Sequence, residues 1–408
     1  MTVRSIVVAA LLLGVGCEPG RALGPRDDAA VVDSSVPRNS GPLTVLDPDG
    51  IVIAAGSGSK GQPSVAFGGG IYLVVWNDVR SMSTYYDVYG ARVSRAGEVL
   101  DPGGGFEVLT GAGGEYKGSL AFGTSSFLVG LTRGQVGSSL EDVRGARVSA
   151  AGKLLDQGGI LVAKGKKKLS APVVGSGDAG FLMAWAEERG ALEYDVYSTR
   201  LSALGKLLDP SPTLIKSGRG VLAPTAVAFD GTNFLVAWEH WFDKGLMDVF
   251  CTRVTAGNKV LDPDGVNVSA APRMEQAAAV AFDGINYLVV WEDLRNNDYD
   301  IYAARVSKSG KVLESTGIAV AVAPDDQVNP AVAFNGTGYL VVWQHYGPAG
   351  PEVHGSRMDV DGRVLDPGGV TIATGSGLYF PSVASDGADY LVVWEDMRRG
   401  IIGARVRP

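Results

Sequence analysis

Seven positions in this 408-residue chain share one spacing and differ in charge: Asp78, Arg133, Glu187, His240, Asp293, His345 and Asp396. Each lies two residues after a tryptophan, or after Leu131 where it stands in a tryptophan's place. Four carboxylates, two imidazoles and one guanidinium at equivalent positions could supply cation ligands or acid/base groups. The competing reading is that each side chain caps or salt-bridges its own loop, because equivalent positions around a ring stand too far apart to chelate one ion. We therefore expect no metal, no cofactor and no catalytic residue at these positions. The connections nearby carry Tyr85, Trp241, Phe242, Tyr346, Tyr379 and Phe380. Flat rings stack on pyranose faces and fill peptide pockets, although they also serve to cover loop backbone. The candidate binding face is thus Asp78, Arg133, Glu187, His240, Trp241, Phe242, Asp293, His345, Tyr346 and Asp396.

Other chemistry is scarce. There is no G-x-S-x-G elbow, no H-E-x-x-H, no phosphate-binding P-loop and no sialidase-type S-x-D-x-G-x-x-W. Three histidines and two cysteines leave little material for a triad, a zinc site or a disulfide framework. His354 reads as a strand residue and Cys251 as a buried free thiol. Lys164, Lys166, Lys167 and Lys168 form a basic cluster, read as a solvated turn or as a contact for an anionic polysaccharide or lipid head group.

These residues are positioned by a repeat. The tryptophan position falls at Trp76, Leu131, Trp185, Trp238, Trp291, Trp343 and Trp394, at spacings of 55, 54, 53, 53, 52 and 51 residues. Each copy has a run such as AVAFDG, then YLVVW, then D-V-Y-x-x-R-V, then a glycine turn, VLDP and a further apolar run. Tyr287–Val306 shows the central part most plainly. Four short runs rich in Val, Tyr, Phe and Ile, bounded by Gly, Asp, Asn and Pro, are strands; no window holds a 3.6-residue period. Seven such units predict an all-β, seven-bladed β-propeller of four-stranded antiparallel blades. VLDP precedes the first unit at Val45–Pro48 and is missing after the last. The Val45–Ala54 segment is therefore expected to supply the outer strand of the C-terminal blade and close the ring.

What recurs in every unit is read as scaffold. The tryptophan is expected to pack between blades. The arginine of the third run (Arg92, Arg147, Arg200, Arg253, Arg305, Arg357, Arg405) is expected to pair with the carboxylate two residues past the tryptophan or with the D-V-Y aspartate. DPDG at Asp47–Gly50 and Asp262–Gly265 invites a calcium reading, but Asp-Pro-x-Gly is more simply turn chemistry. Length varies mainly between the second and third runs, from 11 residues (Trp76 to Asp87) to 6 (Trp394 to Gly400). That connection, on the face of the blade-to-blade links, is where a ligand should be sought.

Composition sets the setting. A net charge of -8 argues against nucleic acid or an anionic membrane surface as partner. Arg4, the apolar run Ile6–Leu13 and the small residues before Cys17 form a secretory signal too short to span a bilayer. Its placement of Cys17 resembles a bacterial lipobox, which implies a lipid-modified cysteine at the mature N-terminus. Residues 1–16 read as signal peptide, 17–42 as lipidated cysteine and flexible tether of roughly 25–30 Å reach, and 43–408 as propeller.

The repeat, with YLVVWxDxR, DIYGARV and GxVLDPxG in each unit, resembles that of secreted bacterial propeller lipoproteins over residues 43–408. The lipobox-like signal, the tether and regular blades without a catalytic set lead us to expect an exported, lipid-anchored envelope protein, monomeric, outer-membrane or cell-surface. It would act as a binding or scaffold propeller for a protein or glycan. The alternative is a glycan-processing hydrolase or lyase using carboxylates such as Glu187, Asp293 or Asp396.

Overall fold

Apolar residues on both faces of a strand need cover on both faces, and in this chain each sheet obtains it from its two neighbours. The computed structural model describes residues 41–408, apart from 57–59, 81–85, 112–113, 135–140, 166, 191–192, 243–245, 270 and 349. The signal segment, Cys17, the tether to residue 40, Tyr85 and Lys166 lie outside the described residues. The described chain is all strand and turn, arranged as seven four-stranded antiparallel blades. Blade 5 is representative, with strands Glu275–Phe282, Asn286–Asp293, Asp300–Ser307 and Ile318–Ala321 in sequential order. Blades 1 to 6 span residues 60–109, 115–164, 173–219, 221–267, 275–321 and 327–373.

Blade 7 is built from both ends of the described chain. Leu378–Ser385, Tyr390–Asp396 and Gly400–Arg407 supply three strands, and Ile51–Ala55 pairs with the last of them as the fourth. Thr44–Val45 extends the same edge. The first strands of successive blades pack against one another all the way round, including blade 7 against blade 1, so the ring is closed.

Seven apolar clusters fill the seven gaps between blades. In one, Leu235, Val249 and Cys251 of blade 4 pack on Tyr287, Val289 and Trp291 of blade 5. The indoles of Trp76, Trp185, Trp238, Trp291, Trp343 and Trp394 each sit in such a gap, and Leu131 takes the place in the gap between blades 1 and 2. None of the six is more than 3% exposed.

The third-strand arginine has neither of the partners expected from the sequence. Arg92 grips Asp101 of its own VLDP turn, with Nη2 to Oδ1 at 2.8 Å and Nε to Oδ2 at 2.9 Å. The same clamp joins Arg147 to Asp156, Arg200 to Asp209, Arg253 to Asp262, Arg305 to Glu314, Arg357 to Asp366 and Arg405 to Asp47. The reason is distance. The arginine lies five residues along the strand from the D-V-Y aspartate, about 17 Å in extended chain. Its free Nη1 reaches a carbonyl of the following blade, as Arg200 does to Ala256 and Arg253 to Lys308. In blade 7 the clamp ties residue 405 to residue 47 and so fastens the closure. Arg405's bonds hold the Asp47 carboxyl below the usual range.

Candidate functional site

Each tryptophan-plus-two side chain lies at the end of its second strand, opposite the start of the first strand of its own blade. Asp78 pairs in register with Lys60, Arg133 with Glu115, Asp293 with Glu275 and His345 with Gln327. Their bonds stay within the blade. Asp293 accepts from Trp291 Nε1 (3.1 Å), from the Arg295 amide (2.9 Å) and from the Arg295 guanidinium (2.5 Å). Asp78 repeats this with Trp76 and Arg80. Asp396 accepts the amides of Arg398 and Arg399. Arg133 is explained by an exchange of charge. Blade 1 sets Lys60 Nζ 3.9 Å from Asp78, and blade 2 sets Glu115 3.1 Å from Arg133. His240 packs against Phe242 and Phe250, with ring centroids 4.4 and 5.7 Å away, and burial lowers its pKa. Glu187 is half-buried beside Lys164 in a cavity described below. The seven are not brought together as one group; among the described residues no set of three His, Cys, Asp or Glu is placed to hold a metal ion.

Two histidines do meet. His345 and His354 lie 4.8 Å apart by centroid, and His354 Nε2 is 2.9 Å from Glu352. His354 was expected to be an ordinary strand residue; it stands where blade 5 has Tyr302, which lies under Arg295 (3.9 Å), whereas blade 6 has Gly347 in place of that arginine.

The convergent groups are one residue away from those singled out in the sequence. Strand alternation sends the tryptophan-plus-one side chain to the opposite face, toward the next blade. There the first strand carries a β-bulge, with Gln62, Ala277, Asn329 and Phe380 at φ of 53°, 54°, 57° and 52°. Such left-handed backbone costs a non-glycine residue about 1–3 kcal/mol. The bulge presents its amide to the preceding blade. Glu239 accepts the Ala277 N–H at 2.6 Å, Glu292 the Asn329 N–H at 2.6 Å, Gln344 the Phe380 N–H at 3.4 Å and Glu395 the Gln62 N–H at 3.3 Å. Asn77 does the same for Lys117 in blade 2, at 2.9 Å.

Side chains link these contacts into a belt near the loop-rich end of the inner strands. Gln276 Nε2 donates to Glu292 (2.8 Å), Asn329 Nδ2 to Gln344 (3.2 Å) and Asn77 Nδ2 to Gln62 (2.9 Å). Glu239 and Glu292 thus flank the same two residues, Gln276 and Ala277. Burial pushes both carboxyls up to about 7, and in Glu292 the Asn329 amide and Gln276 oppose the rise without cancelling it. Tyr299 is pushed up to about 12 by burial and by the nearby Glu292, Asp326 and Glu239. Tyr346 is exposed, and Tyr379 and Phe380 are half-buried, beside the same belt. Among the described residues the belt does not continue through blade 3, where Ala186 holds the tryptophan-plus-one position and has no polar side-chain atom.

Of the predicted aromatics, Trp241 is half-buried and Phe242 exposed in blade 4, and Tyr346, Tyr379 and Phe380 cluster at blades 6 and 7. A signal for the belt was in the sequence. The column after the tryptophan reads Asn77, Thr132, Ala186, Glu239, Glu292, Gln344, Glu395, polar in six of seven copies in a strand otherwise largely apolar.

No family model matches this chain, and no curated protein does. Among solved structures, it is similar to an ulvan lyase described as a new family of polysaccharide lyase, at 11% identity over 87% of this chain and 94% of that one, with a TM-score of 0.53. The β-propeller domain of the Trilobed protease from Pyrococcus furiosus aligns at 9% identity over 86% and 94%, with a TM-score of 0.47. An α-L-arabinofuranosidase from Lactobacillus brevis aligns at 14% identity over 55% and 86%, with a TM-score of 0.35. The likeness is one of fold.

Proposed function

We propose that the protein is an exported carbohydrate-binding propeller, anchored through Cys17, whose ligand lies across the belt of blades 4 to 7. The observation that carries the reading is the set of accessible aromatics Tyr346, Tyr379 and Phe380, with Tyr299, beside the belt of Glu239, Glu292, Gln344 and Asn329. Carboxyl and amide groups exchange bonds with hydroxyls, and aromatic rings cover the C–H faces of a sugar. A glycan array followed by calorimetry on the full chain tests it. Tyr346→Ala and Trp241→Ala should each weaken the selected glycan at least tenfold; wild-type affinity in both variants removes this face. Cys17→Ser should abolish the acyl mass on the mature N-terminus.

A second reading has one supporting observation. Glu239 and Glu292 are adjacent carboxyls whose pKa values near 7 suit a general acid and base. A hydrolase or lyase would lose turnover in Glu292→Gln while keeping glycan binding. A binding protein would show no turnover in either form.

A further inference from the structure

We infer that the cavity between blades 2 and 3 is a second binding site, which takes one carboxylated sugar unit. The other blades show why a cavity opens here. In blades 4, 5 and 6 the third residue after the VLDP acid is Gly265, Gly317 or Gly369, with φ of 78°, 74° and 83°–80° at the Gly368–Gly369 pair. A Cβ on those three glycines would stand 2.6, 3.0 and 2.4 Å from the tryptophan ring, so the turn lies directly on the indole. Each also donates its N–H back to the clamp residue, as Gly317 does to Glu314 at 2.9 Å. In blades 1 and 5 an arginine completes the cover. Arg80 lies 3.6 Å over Tyr89, and Arg295 lies 3.9 Å over Tyr302, each bonded to a carbonyl of the outer turn.

Blade 3 has lost both parts. Pro212 stands in the glycine's place. Proline is fixed near φ −65° and has no N–H, so neither the close approach nor the bond to Asp209 can form. Arg189, at the arginine's position, turns outward to Asp195 at 2.8 Å. What remains is a cavity of about 370 Å³ lined by Lys164, Leu169, Trp185, Glu187, Tyr197 and Pro212, among others.

Its chemistry selects a ligand. Trp185 and Tyr197 stack with centroids 6.2 Å apart at 30° and form an aromatic wall. Glu187 can accept from two hydroxyls. Lys164, on the lining, presents an exposed ammonium in a chain of net charge -8. The acidic neighbours are engaged elsewhere: Asp195 with Arg189 and the Tyr197 hydroxyl, and Glu141 with the Leu169 amide. An apolar face, several hydroxyls and one negative charge describe a uronic acid. The volume suits one or two such rings. None of these residues belongs to the belt of blades 4 to 7, so the two sites stand or fall separately.

The test is calorimetric titration of the full chain with a galacturonate trimer and, as control, a neutral galactose trimer. The acidic trimer should bind at least tenfold more tightly. Lys164→Glu, a surface change, should weaken it at least tenfold, as should Pro212→Gly by closing the turn onto Trp185. Glu292→Gln with Tyr346→Ala should leave it unchanged. Equal binding of the two trimers, wild-type affinity in Lys164→Glu, loss of binding in the belt variant, or full competition by inorganic sulfate alone would each overturn the proposal.

Discussion

Blades 5 and 3 carry the same strands and differ in how they are covered. In blade 5, Trp291, Asp293, Arg295 and Tyr302 form one continuous set of contacts under Gly317. Glu292 on the opposite face ties the blade to the next one. In blade 3, Pro212 holds the turn away, Arg189 faces outward, and Ala186 offers nothing to the following blade. Two independent devices, on opposite faces of the second strand, are missing from the same blade. The two blades therefore differ on both faces of the second strand. On the proposed reading, binding surface is gained where repeat chemistry is given up, which is the usual relation between local rules and function.

The largest effect should come from the indoles. Trp291→Ala should cost about 3–5 kcal/mol, read as the midpoint of urea unfolding, because a dry gap is left between blades. Trp185→Ala should cost less by about 1 kcal/mol or more, since its gap opens onto a cavity that water can enter. Equal losses would mean that the cavity is closed in solution. Next is the carboxylate. Asp293→Ala strands the Trp291 N–H and takes from half-buried Arg295 its closest carboxylate, leaving Glu275 at 4.0 Å, an expected loss of about 3 kcal/mol. Glu187→Ala, half-buried at the equivalent position, should change stability by less than about 0.5 kcal/mol.

The belt gives a pH test of its own. A carboxyl raised to about 7 in the folded chain is protonated on both sides of unfolding below pH 4.5 and adds no penalty there. Between pH 4.5 and 7 the unfolded chain releases the proton first, so stability falls as pH rises and is flat above 7. Glu292→Gln should remove on the order of 2 kcal/mol of this dependence. Lys117 of blade 2 works in the opposite direction. It is fully buried, donates to Ser64 (2.7 Å) and to the Gly118 carbonyl (2.9 Å), and burial lowers its pKa to about 7. Its charged form is disfavoured on folding, so the penalty is complete below pH 7 and is relieved as pH rises toward 10.5. Lys117→Met should reduce the slope between pH 7 and 10 only, and Glu292→Gln the slope between 4.5 and 7 only, where Glu115, Glu239 and Glu275, also pushed up to about 7 by burial, keep the rest. A single variant that altered both windows would contradict this division.

These cases show what the sequence could and could not convey. The blades, their strand order and the closure by Ile51–Ala55 follow from period and end pattern, because burial on both faces leaves strands little choice. The tryptophan gaps follow for the same reason. Partner choice does not. Arg253 and Asp262 are nine residues apart across a turn, and only the path of that turn brings them within 2.8 Å. The belt lies in the neighbouring column, whose polar side chains face the next blade, and not in the charged column from Asp78 to Asp396. Arg133 looked anomalous alone and is ordinary once Glu115 is seen opposite. His354 could not be joined to His345 without the register that sets them on facing strands.

The smallest expected effect is the most discriminating. Pro212→Gly restores the residue that blades 4, 5 and 6 use over the indole. Two terms oppose each other. Glycine loosens the unfolded chain, which costs about 0.4–1 kcal/mol. It also regains an N–H for the Asp209 carbonyl and lets the turn settle on Trp185, which returns a similar amount. The net change in unfolding free energy should stay within about 0.5 kcal/mol. Acrylamide quenching of the tryptophan fluorescence should nonetheless fall relative to wild type, the other six tryptophans being unchanged. If stability and quenching are both unchanged, the proline does not hold the turn open, and the difference between blades 3 and 5 must come from Arg189 alone. If quenching falls while stability holds, the cavity is a feature kept at almost no cost to the fold. A propeller can then vary one blade without weakening the ring.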